Sequence, residues 1–156
     1  MSRPAMPDPT SIVRLTTAFW DSQALLTASR LKLFDQLAVG PRTAEQVAAA
    51  LGLDTRMTEL LLRVLAGLGL LEPQDDGFAN SPTAMAFLVS SSPAYMGGAM
   101  RYSDQLYDTW GRLEQALCSG RPVLPAETYL GDDLERTRIF VHSMHGRAMG
   151  IARALV

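Results

Sequence analysis

TAEQVAAALGLDTRMTELLLRVLAGLGLLEPQDDGFAN, residues 43–80, decides how the rest of this chain is read. Thr43 and Gln46 stand three apart at its start. The threonine hydroxyl can accept from the Gln46 N–H while the glutamine side chain reaches back to the Thr43 N–H, a reciprocal cap that starts a helix. Val47, Ala48 and Leu51 share one face of that helix, and Gly52, free to take a left-handed conformation, ends it. Leu53 follows as a plug, Asp54 or Thr55 caps a second helix, and Gly69 closes that helix after Leu68. Residues 70–73 then read as a strand, 74–77 as a turn with its glycine, and 78–80 as a short returning strand.

Helix, tight turn, helix and β-hairpin in this order predict a winged helix, which raises the question of DNA. The second helix offers little to a phosphate backbone. Met57, Leu60, Leu61, Leu62, Val64, Leu65, Ala66 and Leu68 are apolar, and the charges Arg56, Glu59 and Arg63 fall in one narrow stripe. Glu59 precedes Arg63 by four residues, the favourable order for an intrahelical ion pair. The hairpin tip, Asp75-Asp76, is acidic, whereas a groove reader gathers cations to displace counterions. A winged-helix transcription regulator is therefore an alternative that the charge pattern disfavours.

Composition sets the outer bounds. The chain has 156 residues, enough for one domain with a substantial core; 47% are hydrophobic, 19% are charged, and the formal net charge is -2. So little charge predicts that some apolar surface is covered by a partner, and the slight negative balance disfavours nucleic-acid and anionic-membrane surfaces. Cys118 is alone, which removes any internal disulfide and any multi-cysteine zinc site and suits a reducing cytoplasm. Residues 1–9 hold three prolines and no apolar core, so they read as a flexible leader to a domain over residues 10–156. No apolar run approaches the length of a membrane span.

Before the central stretch, helical periodicity runs from Thr10, with Thr10 or Ser11 as cap, to about Leu37, where Gly40-Pro41 stops it. Ile12, Leu15, Phe19, Leu26 and Leu33 follow one face, and Val13, Trp20, Ala24, Leu31 and Phe34 another. A helix apolar on two sides needs cover on two sides, and the second is assigned to another copy of the chain, the alternative being the central helix of a monomeric core. After the hairpin, Ser81-Pro82 starts a short helix through Leu88, and Ser92-Pro93 repeats the signal before a long helix from about Ala94 to Ser119. Residues 121–131 read as a loop, and Asp132-Asp133-Leu134-Glu135 opens a last helix with acids where the macrodipole favours them. That helix reaches Val156 with no glycine, proline or polar tail, which predicts that a second domain follows.

Candidate chemistry is sparse. Gly67-Leu68-Gly69 follows a helix, where a dinucleotide loop needs a strand, so it reads as a helix end. His142 and His145 lie three apart without a third ligand, so no metal is expected. Met100, Tyr102, Tyr107, Trp110, Phe140 and Met144 admit two readings, core packing or an apolar, sulfur-rich wall for a flat aromatic ligand. No nucleophile, oriented base or paired carboxylate completes an active site.

These residues resemble a known family. Residues 24–35, the stretch 44–71 with Leu68-Gly69-Leu70-Leu71, residues 78–87, and Ser92-Pro93-Ala94-Tyr95 carry the likeness. So do Trp110-Gly111-Arg112-Leu113, Gly120-Arg121-Pro122, and Phe140 with Met144. Together and in this order they are similar to the N-terminal dimerisation domain of two-domain, S-adenosylmethionine (SAM)-dependent small-molecule O-methyltransferases. The resemblance implies a mainly α, winged-helix-like domain with one small β-hairpin, forming an intertwined homodimer through its N-terminal helices. It implies an acceptor pocket for an aromatic or polyketide-type hydroxyl, with Phe140, Met144, Trp110 and His145 from one subunit and Phe19 or Trp20 from the other. SAM, with its binding residues and the catalytic histidine, would belong to a following domain, so this chain alone would not turn over. A stand-alone ligand-binding or assembly protein is the other alternative.

Overall fold

The computed structural model describes residues 7–128 and 133–154, and the first six residues of the expected leader lie outside that range. It is mainly helical, with one two-stranded antiparallel sheet. Helix α1 (Thr10–Arg30) leads into a single turn α2 (Leu33–Gln36), followed by α3 (Ala44–Leu51) and α4 (Thr55–Gly67). The hairpin pairs β1 (Leu71–Gln74) with β2 (Gly77–Asn80), Leu71 opposite Asn80. Then come α5 (Pro82–Phe87), α6 (Gly97–Trp110), α7 (Leu113–Ser119), a short 3-10 turn (Ala126–Thr128) and α8 (Leu134–Ala154).

Local chemistry sets the element ends in the central stretch. The Thr43–Gln46 capping box is formed in both directions, at 3.3 Å and 2.9 Å. The Asp54 carboxylate, and not Thr55, caps α4 by accepting from the Met57 N–H at 2.8 Å. Both helices end on left-handed glycines, Gly52 and Gly69, with the following N–H reaching five residues back, Leu53 to Ala48 and Leu70 to Leu65. Glu59 accepts from Arg63 at 2.7 Å and 3.1 Å, the expected pair on the α4 stripe.

Elsewhere three expectations need correction. The first helix does not run to Leu37. It stops at Arg30, and Lys32 takes a left-handed conformation, φ 56°. The bend redirects the chain so that Leu33, Phe34 and Leu37 are all buried, each at 1% exposure or less. The α1 start is also capped from outside: Asp8, not Thr10 or Ser11, is the acceptor, taking both the backbone N–H and the hydroxyl of Thr10. Third, the long helix from Ala94 to Ser119 is two helices. Ser92 turns its hydroxyl back to the Ala86 carbonyl, so Pro93 starts no helix, and Gly111-Arg112 separates α6 from α7.

One core joins these elements. Ala28, Leu33, Phe34, Leu37, Val47, Leu62, Leu65, Leu71 and Ala84 are among its buried members, drawn from the chain between α1 and α5. Polar ties cross it: the Asn80 amide donates to the Phe34 carbonyl at 2.9 Å, and the Ser90 N–H donates to Asp35 at 2.7 Å. The hairpin is anchored to α3 by a two-way bridge in which Arg42 and Phe78 exchange backbone hydrogen bonds of 3.0 Å and 2.9 Å. This bridge requires a glycine beside it. A Cβ on Gly77 would stand 2.3 Å from the Arg42 carbonyl oxygen. Gly77→Ala is therefore expected to lose about 2 kcal/mol in urea unfolding, because backbone on both sides must move.

Candidate functional site

Helices α6 and α8 pack against each other and carry the central residues of the predicted wall. A Cβ on Gly98 would lie 3.3 Å from the His142 backbone, and the Tyr102 ring meets Phe140 edge-on at 5.7 Å and 61°. These two contacts run the helices antiparallel, with Gly98 allowing close approach at the crossing. At the same level Ser143 is wholly buried and its hydroxyl donates to the Phe140 carbonyl at 2.7 Å. Phe140 and Met144, one turn apart, are both half-buried, so each keeps part of its surface outside the core.

The other predicted site residues do not join them within one chain. Trp110 is eight residues beyond Tyr102, about 12 Å farther along α6, and is 67% exposed. His145 is exposed on α8. Phe19 and Trp20 touch each other edge-on at 5.9 Å on α1, and both are more than half exposed. Ile12, Val13 and Leu15 are exposed too, so the first half of α1 is uncovered on both faces, where one face was expected to rest on the central motif. A second apolar row, Met57, Leu60, Val64 and Leu68, lies open along α4.

A cleft of about 380 Å³ lies between the end of α1, the start of α6 and the first turns of α8. Leu26 and Arg30 come from α1, Met100, Arg101 and Asp104 from α6, and Arg138, Ile139 and His142 from α8. Arg30 donates to Asp104 across it at 2.5 Å. Tyr95 folds over Gly97, occupying the space a Cβ would need, and also lines the cleft. Burial raises the Tyr95 phenol above its ordinary value and the Asp35 carboxylate adds to the effect, so the hydroxyl stays protonated at neutral pH. Sequence reading missed this cleft. Its members are 74 residues apart at Arg30 and Asp104, and no local pattern links them.

Among the described residues, no three His, Cys, Asp or Glu side chains are grouped so as to hold a metal. Gly67 ends α4 and Gly69 follows it, and the described residues contain no parallel strand–helix unit on which a nucleotide-type cofactor loop could be built.

Residues 13–90 match the O-methyltransferase dimerisation domain. The chain belongs to that family. The match takes in α1 from its second turn through α5, while the Phe140 wall and the cleft lie partly or wholly beyond it. Among similar proteins, the N,N-dimethyltransferase OxyT of Streptomyces rimosus is 40% identical over 76% of this chain and 35% of its own length. The tetracenomycin polyketide synthesis 8-O-methyl transferase TcmO of Streptomyces glaucescens is 35% identical over 94% of this chain and 45% of its own. Human N-acetylserotonin methyltransferase, solved in complex with SAM, superposes with a TM-score of 0.78 at 25% identity, covering 94% of this chain and 47% of that one. The chain thus spans less than half the length of each.

Proposed function

We propose that this dimerisation domain is the subunit-pairing and acceptor-pocket half of a SAM-dependent O-methyltransferase acting on an aromatic or polyketide-type hydroxyl. The family match of residues 13–90 carries the reading. The helix–turn–helix–hairpin of residues 43–80 is a winged helix given over to packing, and the bare first half of α1 intertwines with that of a second copy. Phe140 and Met144 form the near wall of the acceptor site, with His145 and Trp110 at its margins and Phe19 or Trp20 supplied by the partner subunit. Half-buried apolar groups suit that role, since they can stack on a flat ring while a neighbouring surface closes over it. SAM and the proton-abstracting base belong to the remainder of the intact enzyme.

The transcription-regulator alternative is weaker. The outer row of α4 is apolar, one of its two arginines is engaged by Glu59, and the hairpin tip is Asp75-Asp76. Among the described residues, no helix is long and apolar enough to cross a membrane. The test is calorimetric. Mixed with SAM and a phenolic acceptor, the 156-residue protein is expected to give no methyl transfer and no measurable SAM affinity, and tight SAM binding would overturn the division of roles. Salt-dependent binding of duplex DNA would favour the regulator instead.

A further inference from the structure

The cleft beside Arg30 has no part in the proposed acceptor wall, since neither Phe140 nor Met144 lines it. Its charge is uneven. Arg30 is engaged with Asp104, whereas Lys32, Arg101 and Arg138 form no ion pair among the described residues. With Glu135 included, four cations face two carboxylates in a concave site, on a chain whose net charge is -2. Concavity concentrates that potential. Leu26, Met100 and Ile139 give the cleft an apolar side, and about 380 Å³ is within the range of small-molecule sites.

Lys32 adds an independent observation. Among the described residues it is the one non-glycine with positive φ, at the joint between α1 and α2. Lysine gains nothing locally from a left-handed backbone, where glycine would sit without strain. Burial of Leu33, Phe34 and Leu37 accounts for the bend but not for a lysine at it, and that lysine's side chain lines the cleft.

We propose that this cleft binds a small aromatic carboxylate, its ring against Leu26, Met100 and Ile139 and its oxyanion held by Lys32, Arg101 and Arg138. Tyr95 presents a hydroxyl donor at the same site. The assignment stands independently of the methyltransferase reading. Titration calorimetry of the 156-residue protein with 2-naphthoate, uncharged 2-naphthalenemethanol and inorganic phosphate tests it. Naphthoate is expected to saturate one site, and the alcohol and phosphate to bind about tenfold more weakly, one lacking the charge and the other the ring. The exposed pair Arg101→Gln/Arg138→Gln is expected to weaken naphthoate by roughly tenfold or more without changing the thermal midpoint. Lys32→Gly separates binding from folding: it is expected to raise the midpoint by a few degrees, about what relief of one left-handed side chain supplies, while weakening naphthoate. Equal binding of naphthoate and the alcohol, phosphate binding as tight as naphthoate, no saturation, or unaltered affinity in the variants would each overturn the proposal.

Discussion

Phe19→Asp/Trp20→Asp is expected to abolish the proposed dimer. The two rings stand edge-on to one another and are 51% and 61% exposed, on a helix whose Ile12, Val13 and Leu15 are also bare. Five large apolar side chains left open on one helical half make a surface that water disfavours and a second copy can cover. Aromatic anchors of this kind dominate interface energetics, so removing both and placing two carboxylates in the buried patch costs about 4 kcal/mol or more, roughly a thousandfold in dimer Kd. Sedimentation equilibrium reads the change directly. Since neither ring belongs to the buried core, far-UV circular dichroism of the monomer is expected to keep its helical signal. A double variant that stays dimeric at micromolar concentration would remove α1 from the interface.

Phe34→Ala is the substitution expected to cost the fold most. The ring is 1% exposed at the centre of the core, on a helix of only four residues that has no side-chain cap. So short a helix has no stability of its own; it is held by the burial of Leu33, Phe34 and Leu37 and by the Asn80 hydrogen bond to the Phe34 carbonyl. Deleting the ring loses its transfer free energy and leaves a cavity that α2 cannot close without giving up that hydrogen bond. The expected loss is about 4 kcal/mol, a large share of the roughly 5–15 kcal/mol that holds a domain of this size together. Urea denaturation with an unchanged slope would show it as a lowered midpoint. Phe34→Leu, which fills most of the volume, is expected to lose only about 1 kcal/mol. A similar small loss for Phe34→Ala would mean that the joint between α1 and α2 repacks freely.

The wall and the cleft differ in how far they could be read ahead of the structure. Phe140 and Met144 are one helical turn apart, a spacing visible in the chain, and their half-burial agrees with it. Trp110 carried the same aromatic signal, yet the antiparallel crossing at Gly98 brings Tyr102 to Phe140 and leaves Trp110 about 12 Å farther along α6. The cleft was illegible throughout. Charged residues on three helices acquire a common purpose only once those helices converge.

What the sequence determined by itself is the set of features that act within four or five residues of their own position: the Thr43–Gln46 box, the Ser81 cap, the left-handed glycines 52 and 69, and the hairpin turn. Backbone hydrogen bonds orphaned at a helix end must be satisfied nearby, so their partners are written beside them. Tertiary structure alone decided that α1 breaks at Lys32, that α6 and α7 part at Gly111, that Arg30 meets Asp104, and that the first half of α1 stays bare. The break at Lys32 is settled by the burial of Leu33, Phe34 and Leu37 against residues far along the chain, and a periodicity that is apolar on every side of a helix does not say which side the core will take.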